Sequence, residues 1–392
     1  MNDPKRGERV KESKILIVDD IELNRKLLET TLRRAGYHHL YFATNGQEAL
    51  ELTHLHRPDL VILDIMMPTM DGFAYCSAVQ QDESLSNMPI IVQTVLDEIE
   101  KKLLAFRLGA ADYICKPIEP MELLARTQVH LNHKLLLESE RRHAARIHRE
   151  MDAARETQIR LMPSKKQLHL CERMYNLEIA AHFQTSTELG GDGWGVQPLS
   201  ETHMALWCYD FSGHGILAAM NVFRMQVIMQ ECWQYAGDPS RYVSHLNKRL
   251  CGLLEKHEFA TLFFAVLDME SNCMVYASAA APPAILSIDA NNHVILPTAG
   301  LPLAVIPEAT YKTHYMPFPS GSVLLLFSDG LIETPDESGE MITEEYLGNA
   351  IQKNREHFPA IGASLKKDLV GMLEKRAEFI KDDITLAVIQ RR

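Results

Sequence analysis

The stretch Pro58–Pro68, "PDLVILDIMMP", decides how the first third of this chain folds. Leu60 to Leu63 form a short unbroken apolar run that stops at Asp64 and is bracketed by prolines, the pattern of a strand buried on both faces. Four more runs of this kind lie around it: "KILIVDD" (14–20), "LYFAT" (40–44), "MPIIVQT" (88–94) and "ADYICKP" (111–117). Between them, segments such as "LNRKLLETTLRRAG" carry apolar residues at helical spacing and end at a glycine, here Gly36. Strict alternation of strand and helix predicts a parallel α/β sheet, doubly wound, with helices on both faces. In such a sheet the ligand crevice lies at the carboxyl ends of the strands. Asp19, Asp20, Asp64, Thr94 and Lys116 all fall there.

That set has a chemical rationale. Three carboxylates gathered at strand ends repel one another unless a hard cation sits among them, and oxygen ligands with spare water positions suit Mg2+. One carboxylate can then accept a phosphoryl group, with Lys116 neutralising phosphate charge and the Thr94 hydroxyl donating to a phosphoryl oxygen. "ILIVDD", "DIMMPTMDG", "QTVLD" and "GAADYICKP" resemble, in order and spacing, the motifs of the receiver domain of two-component response regulators, over residues 12–125. The resemblance implies a flavodoxin-like fold and phosphorylation at Asp64. It also implies Mg2+ held by Asp19, Asp20, Asp64 and the Met66 carbonyl, a switch formed by Thr94, Tyr113 and Lys116, and a sensor histidine kinase as partner. Val95 departs from the family, which often has a small residue there; the larger side chain would narrow access to the phosphorylation site.

Met121 to Met162 contains neither glycine nor proline and is rich in helix formers. Leu137, Ala144, Ile147, Met151, Ala154 and Leu161 recur in a 3/4 rhythm, interrupted by Gln158 and ended by Pro163. A helical linker over 126–163 is expected, as a hairpin, as a parallel coiled coil across a homodimer, or as a long helix packed on its own chain.

The remaining 164–392 reads as strands and amphipathic helices in layers. "LEIAAHF", "MALWCYDFSG", "ATLFFAVLDM", "CMVYASAAAP" and "SVLLLFSDG" have strand character, while "GILAAMNVFRMQVIMQECWQYA" and "ASLKKDLVGMLEKRAEFI" have helical character. Asp192 sits in "ELGGDGWG", Asp210 ends an apolar strand before "FSGHG", Asp329 follows "VLLLFS", and Asp382 with Asp383 precedes "ITLAVI". Acidic sites at strand ends with no histidine or cysteine partners suit paired Mg2+ or Mn2+ ions rather than zinc. Such ions would activate water against phosphorus, and glycines beside them would let the backbone pass close.

"ARETQIRLMPS", "ELGGD", "DFSGHG", "TLFFAVLD", "AGLPLAV", "LLLFSDGLIET" and "DDITLAVI" resemble, in order, the SpoIIE-like subgroup of the metal-dependent PPM protein phosphatases, over about 155–391. The resemblance implies an αββα sandwich with catalytic Asp192, Asp210, Asp329 and Asp382. These would hold two Mn2+ or Mg2+ ions together with the Phe211 carbonyl, and Asp383 is a further candidate ligand. It implies serine/threonine phosphatase activity on a regulatory protein, a phosphorylated STAS-domain anti-sigma-factor antagonist of a partner-switching pathway. Two departures stand out: Gly193, Trp194 and Gly195 where the family has two aromatics and an Asp, and "SAAAPP" (278–283) for "NAGHPP". A phosphorylation-gated adaptor with a weak or inactive phosphatase-like domain, sequestering or delivering a sigma factor, is the alternative. His214 reads as a turn residue or one that supports the ligands.

Composition narrows the partners. A net charge of −12 in 392 residues opposes generic binding to nucleic acid or anionic membrane, and no terminal recognition helix is present. The seven scattered cysteines, none in a Cys-x-x-Cys pair, fit free thiols in a reducing compartment. A charged N-terminus with no apolar run behind it, and no apolar run of membrane-spanning length, give the expectation of a cytoplasmic protein with no membrane partner.

Overall fold

The computed structural model describes residues 10–82, 84–85, 87–95, 99–213, 215–255, 257–289, 292–335 and 339–392. His214 lies outside them, and the Val95 side chain is likewise not described. The chain divides into two compact units, and the division falls between Ile147 and His148.

In the first unit, β1 (Ile15–Val18), β2 (Leu40–Ala43), β3 (Leu60–Asp64), β4 (Ile90–Val95) and β5 (Asp112–Lys116) form a parallel sheet in the order β2-β1-β3-β4-β5. Helices α1 (Glu22–Arg34), α2 (Gly46–His56), α3 (Gly72–Gln81) and α4 (Ile99–Arg107) connect the strands. Because side chains alternate along a strand, Leu16, Val18, Val61 and Leu63 pack under α3 with Tyr75 and Cys76. Ile15, Ile17, Ile62 and Ile91 pack on the other side with Leu28 and Leu32. Asn45 and Asp71 start α2 and α3 by accepting from the main-chain N–H groups of Glu48 and Ala74.

Pro120–Ile159 is one continuous helix of 40 residues, α5, so the hairpin form of the connector is excluded. At 1.5 Å per residue it runs about 60 Å. Leu123 and Leu131 are buried against the first sheet, the side chains from 141 to 150 are exposed, and Gln158 is buried again.

The second unit begins with α6 (Lys165–Tyr175) and then builds two five-stranded sheets. One contains β7 (Gly193–Pro198), β8 (His203–Phe211), β9 (Ala260–Asp268), β10 (Cys273–Ala279) and β13 (His314–Pro317), in the order β13-β10-β9-β8-β7. The other contains β6 (Leu177–Gln184), β11 (Ile285–Ser287), β12 (His293–Ile295), β14 (Val323–Phe327) and β15 (Ile384–Arg391), in the order β12-β11-β14-β15-β6. Val196, Leu206, Phe263, Met274, Leu324 and Ala387 fill the space between the sheets. Each large apolar side chain buried this way contributes roughly 1.5–3 kcal/mol. Helices α7 (Ile216–Glu231) and α8 (Pro239–Leu250) cover the first sheet through Val222, Met225, Tyr242 and Leu246. Helices α10 (Glu344–Asn354) and α11 (Ile361–Glu374) cover the second through Leu347, Ile351, Leu365 and Leu369, and the short α9 (Asp329–Ile332) follows β14. This is the αββα sandwich expected from the sequence. Among the described residues, no helix is long and apolar enough to cross a membrane.

Candidate functional site

In the first unit the strand ends bring Asp19, Asp20 and Asp64 together, with one carboxylate oxygen of each within 4.8 Å of the others. Asp19 is fully buried and heavily held: Asn24 Nδ2 donates to both of its oxygens at 3.1 Å, and the Ile21 N–H donates at 2.9 Å. Lys116 Nζ, at the end of β5, reaches Asp64 Oδ2 at 2.6 Å and Asp19 Oδ2 at 3.3 Å. Burial raises the Asp64 proton affinity and the Lys116 hydrogen bond opposes it. Thr94 Oγ1, on the neighbouring strand, is buried with no hydrogen-bond partner. Tyr113 meets Phe106 edge to face at 5.9 Å and lies under the Arg126 guanidinium at 5.5 Å. The Met66 N–H donates to Asp64 Oδ1 at 3.4 Å, while its side chain is exposed.

In the second unit, the inward faces of β8, β14 and β15 pass from apolar residues to Asp210, Ser328 and Thr385. Asp192 precedes β7 and is 1% exposed; its Oδ2 accepts from Thr385 Oγ1 at 2.7 Å, and its Oδ1 is buried without a partner. Asp210, near the end of β8, feels the charge of Asp192, which raises its proton affinity. Burial, then the charges of Asp192 and Asp329, push the Asp210 carboxyl up to about 11. Asp192 is raised well above the carboxylate range, first by burial, and Asp329 is raised by burial and by the charge of Asp382.

Gly191 has a steric reason in this loop. A Cβ there would stand 2.9 Å from the Phe211 carbonyl oxygen and 3.3 Å from Asp210 Oδ1, so a side chain at this position would press on both. The preceding glycine is gripped from α5: Gln158 Nε2 donates to the Gly190 carbonyl at 2.5 Å, and Gln158 Oε1 accepts from the Gly190 N–H at 3.2 Å. Asp383 accepts from the Gly191 N–H at 2.6 Å and the Ser186 N–H at 2.7 Å. Sequence reasoning singled out the aspartates but not Gln158, Thr385 or Ser186. The available signal for Gln158 was its place as the one long polar side chain in an apolar rhythm.

The family description "Response regulator receiver domain" matches residues 15–128, and "Stage II sporulation protein E (SpoIIE)" matches residues 200–392. The chain joins a response-regulator receiver domain to a SpoIIE-family domain. Over 113 residues the receiver is 47% identical to the "Probable transcriptional regulator ycf27" of Guillardia theta, covering 29% of this chain and 43% of that protein. It is 36% identical over 133 residues to "Response regulator PleD" of Caulobacter vibrioides, covering 34% of this chain and 29% of that one. The chain thus spans less than half the length of these curated relatives. The "SiaA-PP2C domain of Pseudomonas aeruginosa" superimposes with a TM-score of 0.56 at 16% identity, covering 63% of this chain and 98% of that structure. At that identity the likeness is one of fold.

The two departures in the SpoIIE-family domain have local structural accounts. On β7, Gly193 and Gly195 stand directly opposite Tyr209 and Trp207 of β8, and any Cβ on either glycine would run into the facing ring. Aromatic bulk on β8 therefore occupies the space above β7. Ala281 and Pro282 of "SAAAPP", with the following Ala284, line a cavity of about 10 Å3 shared with Cys208, Asp210 and Ser328. Small side chains leave that space beside Asp210 open.

Proposed function

We propose that the chain is a two-component response regulator in which phosphorylation of Asp64 by a sensor histidine kinase controls a metal-dependent serine/threonine phosphatase. The observation that carries the catalytic half is a buried Asp192 oxygen with no hydrogen-bond partner, on a residue that directly follows Gly191, whose Cβ position lies 3.3 Å from Asp210 Oδ1. Acidic oxygens that raise one another's proton affinity, with a main-chain carbonyl beside them, fit divalent cations. Asp192, Asp210, Asp329, Asp382 and the Phe211 carbonyl would hold two Mn2+ or Mg2+ ions. Bound there, the ions supply Lewis acidity toward water and toward the phosphoryl oxygens. Thr385 fixes the Asp192 carboxylate, and Gly191 keeps the carbonyl in reach.

In the receiver, Asp64 takes the phosphoryl group, Lys116 neutralises its charge, and the free Thr94 hydroxyl donates to it. Asp19, Asp20 and the Met66 carbonyl would hold Mg2+ with Asp64, and Tyr113 would follow Thr94 as the second part of the switch. The continuous α5 carries that change toward Gln158 and the Gly190 loop. The substrate class is a phosphorylated STAS-domain anti-sigma-factor antagonist, a reading that rests on family resemblance. Homodimerisation runs through α5.

The test is hydrolysis of a generic phosphoester under Mn2+ and Mg2+, by wild type and Asp329→Ala, with and without a small phosphodonor. Metal-dependent turnover is expected in wild type and a loss of more than about 100-fold in the variant, since even groups outside the ligand set cost 10–100-fold. The phosphodonor is expected to change turnover in wild type and not in Asp64→Asn. A folded wild-type protein inert under either metal overturns the enzymatic reading in favour of an adaptor.

A further inference from the structure

Asp383 stands beside Asp382 just before β15 and is 1% exposed. Its Oδ1 accepts from the Ser186 N–H at 2.7 Å and from Ser186 Oγ at 3.2 Å, and its Oδ2 accepts from the Gly191 N–H at 2.6 Å. Three donors occupy most of the roughly four lone-pair directions of a carboxylate. All three belong to the segment that leads into Asp192. The Asp383 carbonyl accepts from Ser328 Oγ at 3.2 Å and abuts the space a Cβ on Gly330 would need. Ser328 Oγ also accepts from the Thr385 N–H at 2.9 Å. One residue thus ties together the segments that bear Asp192, Asp329 and Asp382. Asp192 differs in kind, because one of its oxygens is buried and has no protein donor.

We propose that Asp383 is a positioning residue: it anchors the 185–191 segment so that Asp192 stays in the cluster, and it does not itself ligate metal. The second clause rests on the two-metal reading above; the first concerns the metal-free chain and stands apart from it. The Gly190 position shows how closely the parts fit. A Cβ there would press on Asp383 Oδ2 and stand 2.8 Å from Asp383 Cγ and 2.9 Å from Thr185 Cγ2.

Asp383→Asn keeps the size of the side chain but turns an NH2 toward an N–H donor whichever way the amide is placed. The full-length protein would be compared as wild type, Asp383→Asn, Asp382→Asn and Gly190→Ala. Hydrogen exchange in chelator is read first. Loss of a charge-assisted bond predicts about tenfold faster exchange for residues 185–192 in Asp383→Asn and Gly190→Ala, with β8 and β9 unchanged. Mn2+ calorimetry is read second. Asp383→Asn is expected to bind as many ions as wild type about tenfold more weakly and to regain most of its kcat at saturating Mn2+, whereas Asp382→Asn stays inactive. Unchanged exchange in both variants, or an ion missing from the Asp383→Asn stoichiometry, overturns the proposal. If Asp383→Asn does not fold, Gly190→Ala carries both readings. If wild type neither binds Mn2+ nor hydrolyses phosphoester, the two-metal reading fails and exchange alone decides whether Asp383 anchors the loop.

Discussion

A single oxygen, Asp192 Oδ1, carries much of the chemistry argued for the second unit, because burying an unsatisfied carboxylate is costly. Its neighbours make the cost pH-dependent. Asp192, Asp210 and Asp329 bind protons more tightly in the fold than the ordinary carboxylate value of 3.8, so their stabilising contribution is full below about pH 4 and is lost as pH rises through the raised values. In chelator, the melting temperature is therefore expected to fall between pH 5 and pH 9. Saturating Mn2+ should flatten that slope by replacing protons as the counter-charge, and a chelator profile that rises with pH would sink this account. The aspartates themselves were legible in the sequence because each ends a strand or follows glycines in a fixed order. Asp383 was harder to read: its neighbour and its spacing suit a ligand, and only the N–H groups of Ser186 and Gly191, almost 200 residues away, reveal what its oxygens do.

Elements show a similar split. The five receiver strands were readable because each is a short apolar run closed by a turn, and α5 because it lacks glycine and proline. Helix α8 was overlooked although Asp238 caps it, Pro239 opens it, and Tyr242, Val243, Leu246 and Leu250 line one face. The strands β12 and β13 are three and four residues long, too short for a pattern to register. Gln158 looked like a flaw in an apolar stripe, yet its amide satisfies both main-chain polar groups of Gly190. Gln158→Leu is expected to destabilise the second unit by about 2 kcal/mol, since two buried partners lose their bonds, and to weaken Mn2+ binding; denaturant midpoints and calorimetry check both. On β7, Gly193→Val should cost about 1–3 kcal/mol through its clash with Tyr209, and less than that when introduced into a Tyr209→Ala background. Additive losses in the double variant would rule out the cross-strand explanation.

For the whole molecule, the joining element is a helix whose middle is bare. Leu137 is 43% and Ile147 44% exposed, on a stretch where every side chain from 141 to 150 is exposed. In the homodimer proposed above, a second copy would cover the thin apolar stripe of this otherwise polar helix. Ile147→Asp is expected to shift the protein toward monomer in sedimentation while leaving melting of the two units unchanged; an unaltered oligomeric state would exclude pairing at this stripe. The receiver and sandwich folds could be anticipated from local patterns, because each unit closes its own core. Oligomeric state could not be read from the chain, since the 3/4 rhythm serves a self-packed helix and a coiled coil equally.

The facing pairs Gly193–Tyr209 and Gly195–Trp207 also constrain how this sequence can change over time. Shrinking an aromatic on β8 first leaves a buried cavity. Enlarging the glycine first meets a filled space. Substitutions at these positions are thus expected to appear as compensating pairs and not singly, which makes the two strands a unit of sequence change as well as a ladder of hydrogen bonds.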